Sequence, residues 1–257
     1  MSDPWLWTPR PVARSRARLF CFPYAGGSAT AYRTWPDGLP PDVEVLAVQL
    51  PGRGPRLHEP PIVRPGSLLD QLEGALSRYL DAPFAFFGHS MGAQIAFDLT
   101  RRLRRRGRPM PAHLFVSGRK APGRPVSSVP PSGPRSDADL LTKLRLYGGT
   151  PEGVLENEEL LELILPPFRA DLELLDAWRD DPEPPLAVDM TVLGGHDDPS
   201  PAVADLDGWR DQTRGPCAVH VFPGGHFFLH AEEAAVLRLV TGVLAGGSLP
   251  APGVVSG

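Results

Sequence analysis

The stretch Phe84-Ala85-Phe86-Phe87-Gly88-His89-Ser90-Met91-Gly92-Ala93-Gln94-Ile95-Ala96-Phe97 decides how this chain folds. A short apolar run, a five-residue turn of the form Gly-x-Ser-x-Gly and a further apolar segment read as strand, sharp turn and helix. A serine hydroxyl thrust out at the end of a strand needs a strained backbone. Small residues two positions either side let strand and helix pass closely. Gly-x-Ser-x-Gly alone arises by chance; the strand and helix around it give it meaning, and further parts must then follow downstream.

Outward from that turn, strands and helices alternate. Residues 18–22 form an apolar strand that runs into Pro23-Tyr24-Ala25-Gly26-Gly27-Ser28. Residues 43–50 form a second strand ending in Pro51-Gly52-Arg53-Gly54, and residues 67–80 a helix with Ser67 as its N-cap. The helix after Ser90 continues to about Arg106, and residues 113–117 are the next strand. A segment rich in proline, glycine and serine follows, at about 119–134. Two or three amphipathic helices are then predicted, at roughly 137–147, 157–165 and 168–178. Alternation resumes with a strand at 189–193, a helix at 203–213, the last strand at 218–222 and a closing helix at 231–244. This pattern predicts the α/β class: a mostly parallel sheet with helices on both faces. Residues 1–257 form one domain, with an insertion at about 120–185 acting as a helical lid over the carboxyl ends of the strands. Residues 1–17 and 246–257 read as irregular tails.

Composition narrows the function. Net charge is -4, so no general affinity for nucleic acid or anionic membrane is implied. The first 18 residues lack an apolar core segment, so neither a signal peptide nor a membrane anchor is expected and a cytoplasmic location is the default. The two cysteines, Cys21 and Cys217, read as buried free thiols. No His, Cys or Asp cluster has metal-ligand spacing. The run Arg101-Arg102-Leu103-Arg104-Arg105-Arg106-Gly107-Arg108 reads first as a solvated helix end, with docking of an acidic partner as the sharper alternative.

A serine hydroxyl needs an adjacent base, and the base needs a third group to orient it. In the α/β-hydrolase fold the chain order is serine, acid, histidine. His226, in Pro223-Gly224-Gly225-His226 after the last strand, is the candidate base for Ser90. Asp198, in Gly195-His196-Asp197-Asp198-Pro199, is the preferred acid, because it reaches the tip of its turn; Asp197 is the competitor. The backbone N–H of Met91, directly after the nucleophile, and that of Ala25, after the first strand, are the candidate oxyanion donors. His89 and His196 read as structural. The residues lining a substrate pocket are not assigned.

Taken together, Phe20-Cys21-Phe22-Pro23-Tyr24-Ala25-Gly26-Gly27-Ser28, Gln49-Leu50-Pro51-Gly52-Arg53-Gly54, Gly88-His89-Ser90-Met91-Gly92 and Gly224-Gly225-His226-Phe227-Phe228 resemble the type II thioesterases of polyketide and nonribosomal peptide assembly lines. Tyr147-Gly148-Gly149-Thr150-Pro151 and Leu165-Pro166-Pro167-Phe168-Arg169-Ala170-Asp171 are similar too. The resemblance runs from about Leu19 to Leu239. It implies an α/β-hydrolase fold and a stand-alone editing enzyme that removes stalled or unwanted acyl groups from the phosphopantetheine arm of acyl or peptidyl carrier proteins. It carries over the same Ser90, Asp198 and His226, with Ala25 and Met91 as donors. It implies no bound cofactor, since the substrate brings the phosphopantetheine; a monomer is expected. Residues alone reach only a serine hydrolase with a lid. Rival readings are a carboxylesterase or lipase on oxygen esters, an acyltransferase, and a non-catalytic binding protein of the same fold.

Overall fold

Alternate residues of the apolar strands enter two separate cores, one on each face of the sheet. The computed structural model describes residues 3–123 and 135–246. Its strands are β1 (Leu6–Trp7), β2 (Ala17–Phe22), β3 (Val43–Val48), β4 (Phe84–His89), β5 (His113–Ser117), β6 (Asp189–Gly195) and β7 (Cys217–Phe222). They pair in the order β1-β3-β2-β4-β5-β6-β7, with β1 antiparallel and the others parallel. The helices are α1 (Trp35–Gly38), α2 (Pro65–Leu76), α3 (Met91–Arg105), α4 (Asp137–Tyr147), α5 (Glu152–Leu155), α6 (Glu158–Ala177), α7 (Phe228–Ala231) and α8 (Glu233–Gly246).

Phe20, Phe22 and Phe86 point to the face covered by α2 and α3, where they pack with Leu72 and Ile95. Leu19, Cys21 and Phe87 point to the other face and meet Trp35 of α1 and Val236 and Val240 of α8. Edge-to-face aromatic pairs, such as Phe22 with Phe86 at 5.2 Å between ring centres, fix the first core. The chain leaves β2 for β3 on one side and returns to β4 on the other. The crevice outside the carboxyl ends of β2 and β4 is therefore the topological switch point, where open α/β sheets bind ligands.

Between β5 and β6 lie α4, α5 and α6; α4 and α6 share a small core of Leu140, Leu165, Phe168 and Leu172, with Ala25 packed against it. A capping box between Ser136 and Asp139 starts α4. Elsewhere the structure departs from the sequence expectations. Leu6–Trp7, expected in an irregular arm, pairs with Val48 and Ala47. Helix α2 starts at Pro65, whose fixed φ suits the first helical position, so Arg64 and not Ser67 is its N-cap. Residues expected as two helices broken at Pro166 are the single helix α6, with Pro166 and Pro167 inside it. The carbonyls that those prolines leave without helical donors belong to Glu162 and Leu163, both on the exposed side. The helix expected at 203–213 winds instead as 3-10 turns over Val203–Gln212. Gly246 still closes α8; the tail expected beyond it and most of the proline-rich segment lie outside the described residues. Cys21 is buried, but Cys217 is half-buried on edge strand β7; both are free.

The arginine run has a structural duty. Arg102 bonds Glu73 at 2.7 Å and pairs with Asp70 on α2. Arg104 donates to the Pro184 carbonyl at 2.7 Å and to Glu183 at 2.8 Å, and Arg105 also pairs with Glu183. Arg106 reaches Glu73 at 3.1 Å. Because α3 runs back along the sheet from Ser90, these charges sit at the opposite end of a 15-residue helix, roughly 20 Å away. The run fastens α3 to α2 and to the Glu183–Pro185 segment there, and does not border the site.

Candidate active site

Ser90 stands at φ 53 and ψ -113, the one non-glycine residue with positive φ among the described residues. Its N–H donates to the Ser117 carbonyl at 2.7 Å, so the neighbouring strand's end over-determines the strained conformation. The flanking glycines are a steric necessity. A Cβ on Gly92 would lie 2.0 Å from the Phe22 carbonyl oxygen, and one on Gly88 2.1 Å from the Gly92 oxygen. The same closeness brings the loop after β2 beside the elbow, with Phe22 opposite Gly88 in register. Neither the Met91 N–H, the first amide of α3, nor the Ala25 N–H donates to a protein acceptor among the described residues.

The acid and the histidine meet on the turns after β6 and β7. Gly195 makes this possible, because a Cβ there would be 2.3 Å from the Gly225 oxygen. His226 Nδ1 lies 2.8 Å from Asp198 Oδ2, with the two side chains 4% and 0% exposed. The other Asp198 oxygen, Oδ1, accepts the Ser200 N–H at 2.9 Å, which sets the carboxylate plane. Asp197 points outward and faces His196 Nδ1 at 2.8 Å, both on the surface. The geometry thus joins Asp198, and not Asp197, to His226.

Although β7 is three places from β4 in the sheet, the His226 ring reaches back to 5.1 Å from that of His89, the neighbour of Ser90. Ser90, His226 and Ala25 border one cavity of about 630 Å³. No hydrogen bond joins the Ser90 hydroxyl to His226 among the described residues; in unliganded enzymes this contact is often loose and tightens with substrate. His89 is fully buried, with Nδ1 2.8 Å from Ser117 Oγ. Burial, then the nearby His226, hold its pKa well below the usual value, so it stays neutral. That fits a structural part.

Residues from the segment between β5 and β6 line the other side of the cavity. Phe168, Leu172 and Trp178 form an apolar wall; Arg119, Lys143 and Arg135 also line the cavity, with Arg135 bonded to Asp176 at 2.6 and 2.9 Å. Tyr147, at the end of α4, lies 4.5 Å from the His226 ring, and its hydroxyl pKa is raised by burial and by Asp198. Gly149 packs on Phe227, where a Cβ would be 2.2 Å from the ring. Tyr147, Asp171 and Arg53 had no role assigned from sequence. The available signal for Asp171 was an acid on the apolar stripe of a helix, between Phe168 and Leu172. Among the described residues, no group of His, Cys, Asp and Glu could hold a metal ion and no helix is long and apolar enough to cross a membrane.

Comparison with known proteins agrees with this architecture. A family model described as "Thioesterase domain" matches residues 17–243. The chain is 40% identical over 248 residues to the linear gramicidin dehydrogenase LgrE of Brevibacillus parabrevis, covering 93% of this chain and 92% of that protein. It is 35% identical over 241 residues to the gramicidin S biosynthesis protein GrsT of Aneurinibacillus migulanus, covering 92% of each. Among solved structures it superposes on the type II thioesterase BorB of the borrelidin biosynthetic cluster with a TM-score of 0.84 and 38% identity, over 93% of this chain and 97% of that one. The name of the first relative speaks of a dehydrogenase, yet this sequence has no Gly-x-Gly-x-x-Gly dinucleotide turn. A matched family model over most of the chain, on an α/β-hydrolase sheet with a serine elbow, leads to one assignment: the protein belongs to the thioesterase domain family and is a thioester hydrolase, akin to the type II thioesterases.

Proposed function

We propose that the protein hydrolyses acyl groups from the phosphopantetheine arm of a carrier protein, as an editing activity in polyketide or nonribosomal peptide assembly. Ser90 is the nucleophile, His226 the base, Asp198 the orienting acid, and the Ala25 and Met91 amides the oxyanion donors. The observation that carries the reading is the buried Asp198–His226 pair at 2.8 Å, opening on the cavity that Ser90 and Ala25 also line.

The steps follow from these positions. As Ser90 Oγ attacks the thioester carbonyl, its proton passes to His226 Nε2, since Nδ1 is committed to Asp198. The carbonyl oxygen becomes an oxyanion facing the two free amides, one of them at the N-terminus of a 15-residue helix. Collapse breaks the C–S bond; the departing sulfur takes the proton from His226 and leaves as the thiol, and acyl-Ser90 remains. Water then attacks the acyl carbon while His226 accepts its proton. The second collapse returns that proton to Ser90 and releases the acid. Asp198 stays ionised throughout and stabilises the transient imidazolium. In this reading α4–α6 are the lid, with the thin arm entering beside Tyr147 and the acyl chain lying against Phe168 and Leu172.

Intact-mass assay of acyl-carrier proteins tests the whole scheme. Wild-type enzyme is expected to release the acyl group, and Ser90→Ala to be silent and to lose labelling by a fluorophosphonate. A clear preference for p-nitrophenyl esters over matched N-acetylcysteamine thioesters would overturn the thioester assignment.

A further inference from the structure

One charged pair lies inside the protein but outside the triad. Arg53, in the turn after β3, and Asp171, on α6, have side chains 6% and 2% exposed. They meet through two hydrogen bonds, Nη1 to Oδ2 at 2.5 Å and Nη2 to Oδ1 at 2.7 Å. A pair so buried is weak evidence of a stability device, because apolar replacements of similar size are often as stable. What it touches is more telling.

Asp171 Oδ2 also accepts the Gly26 N–H at 2.7 Å, and Arg53 Nη1 also donates to the Gly27 carbonyl at 3.2 Å. Gly27 in turn donates its N–H to the Tyr24 carbonyl at 2.9 Å. In a trans peptide the carbonyl and the next N–H point in opposite directions. With the Tyr24 oxygen held on one side, the Ala25 N–H is turned to the other, where it has no protein acceptor among the described residues. Gly26 takes φ +74, and Phe168, one turn before Asp171, sits 3.2 Å from where a Gly26 Cβ would be. The insertion thus grips this loop by contact and by charge. Arg53 has a second effect. A lone carboxylate here would oppose an oxyanion forming next door, and the guanidinium neutralises it.

We infer that Arg53 and Asp171 are positioning residues for the hydrolysis: together they hold the Tyr24–Gly27 turn in the conformation that presents the Ala25 amide to the oxyanion. The inference rests on the proposed roles of Ser90 and Ala25. It makes the hole dependent on α6, an element of the insertion, and so on the insertion being seated.

The test is steady-state kinetics of Asp171→Asn, Asp171→Ala and the double variant Arg53→Met with Asp171→Leu, using a short-chain acyl-N-acetylcysteamine thioester. Binding of an acyl trifluoromethyl ketone, which forms an oxyanion on the serine, is measured alongside, with Tm for each protein. Asp171→Ala is expected to lower kcat on the order of 100-fold, with KM within about three-fold and ketone affinity falling in step with kcat. The double variant is expected to keep its Tm while losing kcat, a split that a merely structural role would not give. Should Asp171→Ala fail to fold, Asp171→Asn and the double variant decide. Values of kcat and ketone affinity within about three-fold of wild type in the folded variants overturn the inference. Hydrolysis surviving Ser90→Ala would instead overturn the reading of the site itself.

Discussion

On the sheet side of the cavity, Ser90, Asp198 and His226 sit on turns whose backbones interlock at separations no side chain could enter, such as the 2.0 Å left for a Cβ on Gly92. On the facing side, α4 and α6 share a small cluster of Leu140, Leu165, Phe168 and Leu172, Leu174 joins the main core, and Leu146 and Leu163 are more than half exposed. The first region is determined by steric exclusion, which admits one backbone path. The second is held by a few discrete contacts, chiefly Tyr147 on His226, Gly149 on Phe227 and Asp171 on Gly26. Rigidity is placed where atoms must align within tenths of an ångström, and separable contacts where one wall of the cavity meets the other.

Four substitutions or titrations probe that contrast, in descending order of effect. Gly92→Ala forces backbone apart and is expected to cost more than about 4 kcal/mol, seen as a Tm fall on the order of 10 °C or as insoluble protein; an intact Tm would break the steric account. Asp198→Asn should lower kcat by on the order of 10⁴-fold with little change in Tm, while Asp197→Asn stays within about two-fold of wild type. Equal losses in the two would reverse the assignment of the acid.

Acid should weaken the sheet side selectively, since the insertion helices carry no histidine. Burial pushes the His113 pKa down to about 4, and burial lowers that of His89 as well. Both groups therefore bind protons more readily unfolded than folded. Their neutral forms cost nothing above about pH 6.5, and stability is lost as pH falls from there towards 4. With His113 partly exposed, its share is on the order of 1–2 kcal/mol. Urea unfolding of His113→Gln should show a flatter acid limb; an unchanged slope would exclude His113 as a source. The smallest effect of the four belongs to Tyr147. Tyr147→Ala removes one aromatic contact from His226 and should lower kcat/KM by roughly 3- to 10-fold, with Tyr147→Phe near wild type. A loss as large as that of Asp198→Asn would show the insertion to be as critical as the turns.

These two regions also differed in how well the sequence revealed them. The elbow was readable because glycine spacing reports a local backbone constraint, and β5 and α4 were placed at their observed bounds by apolar run and period. Asp198 could be preferred over Asp197 from the shape of one turn. What local patterns do not carry is partnership over distance. Nothing near Arg53 announces a carboxylate 118 residues later. Nor does Tyr147 announce the ring of His226, because both contacts arise only when the insertion folds back on the sheet. The twin prolines misled for a related reason: a proline normally ends a helix, but here the freed carbonyls face water and packing by Leu165 and Phe168 carries the helix through.

That proline pair should give α6 two rates of opening. Fraying that starts at Glu158 meets, at Pro166, a gap in the ladder of amide bonds and need not spread past it. Amide protons of residues 158–165, beside the exposed Leu160 and Leu163, should exchange with deuterium by local opening. Those of residues 168–177, where Asp171 is clamped, should exchange only when the cavity wall itself comes away. One continuous helix would then report as two bodies in a single exchange experiment, with the boundary at the prolines.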